Sequence, residues 1–70
     1  METSEQRDKR RNDNYHTLSE LEAAGNRIIF ISELKGSLSM QRGKTITHYQ
    51  LSEYTNGTMC WYPINAKTVQ

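Results

Sequence analysis

A chain of 70 residues, 34% hydrophobic and 24% charged, has room for one domain and excludes a second. Nine Lys plus Arg against eight Asp plus Glu leave a net charge of +1, too little to draw the chain to nucleic acid or an anionic membrane by charge alone. Cys60 is the single cysteine, which excludes an internal disulfide framework and fits a reducing compartment.

Cys60, His16 and His48 lie too far apart for the paired spacings of a structural zinc site, so neither metal nor cofactor is expected. A core this small is marginal, and self-association or a protein partner is the expected source of further stability. No apolar run approaches the roughly 18 residues of a membrane span, and the polar start lacks a signal-peptide core. The expectation is a cytoplasmic protein with no membrane contact.

Residues 1–14 hold no aliphatic or aromatic side chain after the initiator Met, and Arg7, Lys9, Arg10 and Arg11 balance Glu2, Glu5, Asp8 and Asp13. Such a segment cannot repay the entropy of ordering itself, so it reads as a disordered tail ahead of one domain over residues 15–70. Deleting it should leave stability nearly unchanged.

From His16 to Asn26 runs the clearest local signal. Thr17 and Glu20 have the spacing of a capping box, Ala23 and Ala24 favour propagation, and Gly25 or Asn26 can stop the helix. Leu18 and Leu21 share a face that must be laid on something, because so short a helix is unstable alone.

Arg27 to Leu34 is rich in β-branched residues and reads as a strand, although Ile28, Ile31, Leu34 and Leu38 also fit a helical stripe. Being apolar on both faces, it is expected in the middle of the sheet. Gly36 to Lys44 reads as a loop or a short strand ending in a tight turn at Arg42-Gly43.

Thr45 to Tyr54 and Thr58 to Ile64 then form a hairpin about Asn56-Gly57, with Pro63 at the end of an edge strand and a frayed end from Asn65. A two-residue type I′ turn there would pair Tyr54 with Met59, Ser52 with Trp61 and Leu51 with Tyr62. Tyr49, Leu51, Cys60, Tyr62 and Ile64 would then meet the helix, leaving Tyr54, Met59 and Trp61 on the other face. The fold class is α+β, a short N-terminal helix packed on a three- or four-stranded antiparallel sheet.

No catalytic constellation stands out. Cys60 reads as a buried, inert thiol, Glu33 and Glu53 as solvated acids at strand ends, and His48 as a structural histidine. The four glycines are scattered and build no phosphate loop. The functional expectation is a non-enzymatic protein that binds a protein partner and inhibits or modulates it, in the style of small phage or mobile-element accessory proteins.

Tyr54, Met59 and Trp61, with Arg42 and Lys44, are the expected partner-binding residues, because aromatic side chains and Met are enriched at interface cores. Trp61 can equally belong to a second core layer, and a homodimer is a further possibility. The runner-up is a small nucleic-acid-binding regulator in which Trp61 and Tyr54 stack on bases while Arg42, Lys44 and the Arg10-Arg11 tail hold phosphates.

Overall fold

Six elements follow one another along the chain: α1 (Ser4–Asn12), α2 (Leu18–Ala23), β1 (Arg27–Ser32), β2 (Ser37–Arg42), β3 (Thr45–Glu53) and β4 (Met59–Thr68). The structure, a computed structural model, describes residues 2–69, and Met1 and Gln70 lie outside them. The strands form one antiparallel sheet in the order β1-β2-β3-β4, so this is an α+β fold. A meander with short connections leaves its first strand at an edge unless a later strand crosses over. β1 therefore lies at the edge, which corrects the central position expected from its apolar run.

The segment Gly36 to Lys44, left open between loop and strand, is the strand β2 and its turn. Leu38 and Met40 are fully buried there. β3 and β4 pair Glu53 with Met59, Ser52 with Cys60, Leu51 with Trp61 and Gln50 with Tyr62, one residue away from the expected register.

The turn explains the slip. Gly57 N donates to Tyr54 O at 2.9 Å, Tyr54 N donates to Thr58 O at 2.9 Å, and Gly57 has φ +86° while Asn56 stays out of the left-handed region. The loop is thus three residues, Thr55 to Gly57, a tight turn followed by glycine in the left-handed conformation rather than a two-residue type I′ turn.

A one-residue slip turns every β4 side chain to the opposite face. Trp61 joins Tyr49 and Leu51 beneath the helix, while Tyr62 joins Tyr54 on the far face. Tyr15 packs on both of those tyrosines with ring centroids 5.0 Å apart in each case. The core is Leu21 of α2 on Leu38, Met40, Tyr49 and Trp61, flanked by Leu18 and Leu51. Pro63, which has no N–H to give a ladder, sits at a bulge of the edge strand β4, and the pairing then resumes from Asn65 to Thr68 instead of fraying.

Residues 1–14 differ most from the sequence reading, because a helix fills most of them. Thr3 caps α1: its hydroxyl accepts from Gln6 N at 3.2 Å and its N–H donates to Gln6 Oε1 at 3.0 Å. What docks the helix is a charge. Arg10 is 1% exposed, and each of its five N–H groups has an oxygen acceptor.

Nε and Nη2 donate to Glu2 at 2.8 and 2.9 Å, Nη1 and Nη2 donate to Glu20 at 2.7 and 2.9 Å, and Nη1 also donates to Tyr15 O at 2.8 Å. The same carboxylates bind outward. Glu20 Oε1 accepts from Thr17 N at 2.9 Å, completing the cap of α2, and Glu2 Oε2 accepts from Asn56 Nδ2 at 2.6 Å on the hairpin loop. The segment has no aliphatic or aromatic residue after Met1 to bury, but a fully partnered guanidinium can be buried without one.

Breaking one side of a buried ion pair leaves charge without a partner. Arg10→Met, or deletion of residues 1–14, should therefore cost about 2–3 kcal/mol in urea unfolding, and an unchanged midpoint would show that α1 is not docked. Arg10 pulls the Glu20 carboxyl down to about 2 and holds Glu2 below its usual range. Folded-state values below the unfolded ones mean stability present above about pH 4.5 and lost as pH falls toward 2. Glu20→Gln should flatten that acid limb.

The register makes a second pair of expectations. Trp61 is 6% exposed, so Trp61→Ala should cost about 3–5 kcal/mol and unfold a domain this small, whereas Tyr62→Ala should be tolerated with a loss nearer 1 kcal/mol. Equal melting temperatures for the two variants would contradict the register.

Candidate docking surface

Arg27 to Ser32 forms a strand because Ile28, Ile29 and Ile31 are β-branched and Phe30 is aromatic, types that suit a pleated surface. Directly opposed residues of neighbouring strands share a face. Ile28 and Ile31, opposite Met40 and Leu38, therefore lie on the helix-covered face, and Phe30, opposite Ser39, lies on the far face. Ile29 is the extra residue of a bulge between them.

All four stay exposed. A helix of six residues is only about 9 Å long at 1.5 Å per residue, whereas four strands about 4.8 Å apart span roughly 14 Å. α2 consequently covers β2 to β4 and stops short of β1. Phe30 is 54% exposed, Ile29 44%, and Leu34 in the following turn 98%. β1 therefore exposes large apolar side chains on both faces of the sheet edge, and exposed apolar surface of this size marks interaction sites.

The outer backbone edge of β1 is open as well: among the described residues, no strand pairs with it. The opposite edge of the sheet is treated differently. His16 N donates to Trp61 O at 3.2 Å and Trp61 N donates to His16 O at 2.7 Å, so the segment leading into α2 closes part of the β4 edge. Pro63 and Lys67 lie further along the same strand, and both residue types blunt an edge.

The residues singled out in the sequence do not come together. Arg42 and Lys44 are exposed at one end of β3, and Tyr54, Met59 and Trp61 are at the other. At about 3.4 Å per residue, that puts Tyr54 and Met59 roughly 30 Å from Arg42 and Lys44, and Trp61, opposite Leu51, roughly 20 Å from them. Trp61 is in the core, Tyr54 donates its hydroxyl to the Asp13 carboxylate, and Met59 is exposed beside the hairpin loop. The Arg42 stem runs against Gly25 at the end of α2. Arg10 is enclosed, and Arg11 pairs with Asp8 at 2.7 Å, so neither half of the Arg10-Arg11 pair extends as a basic arm.

The remaining polar groupings are structural in their contacts. Ser39 Oγ and His48 Nδ1 lie 2.6 Å apart across β2 and β3, and among the described residues no carboxylate bonds the ring to complete a nucleophile and base arrangement. Burial pushes the Cys60 thiol up, away from the reactive thiolate, beneath the Arg10 guanidinium.

A cleft of about 260 Å³ between α2 and the sheet is lined by His16, Glu20, Arg42, Thr47 and Tyr49 among others. Glu20 is held by Arg10 there, and desolvation lowers His16 below its ordinary value. Among the described residues, no group of three or more His, Cys, Asp or Glu is placed to hold a metal ion. No helix among them is long and apolar enough to cross a membrane.

Sequence reasoning found the β1 strand but not its open edge, and it missed Arg10. The Thr3-Ser4-Glu5-Gln6 spacing was the available sign that residues 1–14 begin a helix. Compared with protein-family models, curated proteins and solved structures, the chain matches none.

Exposure at β1 separates it from the core in a measurable way. At low nanomolar concentration, where association adds nothing to stability, Ile29→Lys and Phe30→Lys should each change unfolding free energy by no more than about 0.5 kcal/mol, whereas Leu38→Ala should cost about 2–5 kcal/mol. Unfolding of the Phe30→Lys chain would place β1 in the core instead.

Proposed function

We propose that this chain is a non-enzymatic protein-binding module whose docking element is the β1 edge. The observation that carries the reading is the contiguous run Ile28, Ile29, Phe30 and Ile31, exposed on a strand with an open edge. Edge pairing supplies backbone hydrogen bonds to an added strand, and side chains alternating between the two faces supply selectivity. Full burial of an Ile or Phe side chain contributes about 1.5–3 kcal/mol, so covering several half-exposed ones is a sizeable driving force. A strand held at β1 is withdrawn from its other contacts, and that is how such a module modulates its partner.

The nucleic-acid reading has less support. It needs cations beside stacking aromatics, but Arg10 is enclosed by Glu2 and Glu20, Trp61 is buried, and Arg42 and Lys44 lie a strand length from Tyr54.

A photo-reactive residue in place of Phe30 tests the proposal. Illuminated in cells that make the protein, it should give one discrete covalent protein adduct, and the same residue at Thr55 on the hairpin loop should give none. An adduct from Thr55 with none from Phe30 would move the docking surface away from β1.

A further inference from the structure

We infer that the strand received by the β1 edge is β1 of a second copy of this chain, joined antiparallel about a twofold axis into one eight-stranded sheet. The inference rests on the docking reading above and names its partner. Charge complementarity selects the direction. Arg27 opens β1 and Glu33 follows its last residue, Ser32, so antiparallel pairing brings Arg27 of each copy to the Glu33 end of the other. Parallel pairing would set Arg27 against Arg27 and Glu33 against Glu33, which is repulsive.

The bulge selects the register. Opposed residues must share a face, and Ile28 and Ile31 lie on the helix-covered face while Arg27 and Ser32 lie on the far face. Pairing Ile28 with the second copy's Ile31, and Arg27 with its Ser32, satisfies both conditions at once. The axis then falls between Ile29 and Phe30, where the exposed apolar side chains are concentrated.

Closure follows from the other edge. A twofold β1-to-β1 contact is isologous and uses up the β1 edge of both copies, and on the remaining β4 edge His16 covers Trp61 and Pro63 lacks an N–H, which blunts it against a third copy. The sheet ends as a dimer and does not extend into a fibre. The dimer also answers the marginal core of a chain this short, because an isologous interface stabilises the fold by mass action.

Sedimentation equilibrium of the purified full chain tests the inference. Wild type should dimerise at micromolar concentration, and Phe30→Lys should be a folded monomer with an unchanged circular dichroism spectrum. Arg27→Glu should weaken dimerisation about tenfold, since the twofold axis repeats the substitution. Adding Glu33→Arg should restore the affinity.

Within one chain Arg27 and Glu33 are at opposite ends of the strand, so rescue by charge exchange requires two copies. A wild-type monomer at high micromolar concentration overturns the inference, as does a dimer that survives Phe30→Lys or a charge exchange that fails to rescue. If the wild type is monomeric while the Phe30 photo-adduct contains a different protein, the docking reading stands and the self-pairing fails. If the chain is monomeric and Phe30 captures nothing, both fail.

Discussion

Three segments with little apolar surface to share meet at the Arg10 guanidinium. Its N–H groups face Glu2 at the start of the chain, Glu20 in the first turn of α2, and the Tyr15 carbonyl between them. Burying a guanidinium is costly unless every donor is met, and here every donor is met by an oxygen, four of the five contacts going to carboxylates. Remove the charge and α1 has almost nothing apolar with which to hold the domain, since its mean character is polar throughout. Glu20 would keep its bond to Thr17 N but lose the cation that makes it a strong acceptor. The N-terminal segment, the α2 cap and the hairpin loop are therefore coupled through one side chain.

That coupling determines how the sheet meets its surroundings. With α1 anchored, the segment through Tyr15 and His16 is held beside β4, where it pairs with Trp61 and lays Tyr15 on Tyr54 and Tyr62. One edge of the sheet is thus covered at Trp61 by the chain's own N-terminal part. α2, held at its N-terminus by the same carboxylate, sets Leu21 over Leu38, Met40, Tyr49 and Trp61 and is too short to reach further. The apolar residues of β1 remain uncovered on both faces and along one edge. The placement of the open surface is in this sense the complement of the placement of Arg10.

Much of the local structure was legible in the residues. Thr17 and Glu20 form the cap at the spacing that signals it, and Gly25 with φ +97° follows the end of α2. The β-branched runs at Ile28 and Ile46 are strands, and Asn56-Gly57 lies in a hairpin loop.

What could not be read were choices made between elements. Asn56 and Gly57 suit a two-residue turn, but Asn56 is engaged by Glu2 and by Thr58 N, and glycine alone takes the left-handed position, so the loop gains a residue. That single residue exchanged Trp61 for Tyr62 in the core. The expectation that a run apolar on both faces lies at the centre of a sheet failed for β1 because the connections are short and sequential. Arg10 escaped notice because its burial depends on Glu2 and Glu20, which are distant in sequence and carry no sign of a shared partner.

The central proposal is that β1, an open edge, receives a strand, while the β4 edge is closed in part by His16 at Trp61. Amide hydrogen exchange of the full chain, followed residue by residue at increasing protein concentration, tests it most directly. The account predicts that the β1 amides between Ile28 and Ser32 that point away from β2 gain protection as concentration rises, while Trp61 is protected throughout. Protection of those β1 amides that is already complete at the lowest concentration, or a concentration-dependent gain on β4 instead, would contradict it.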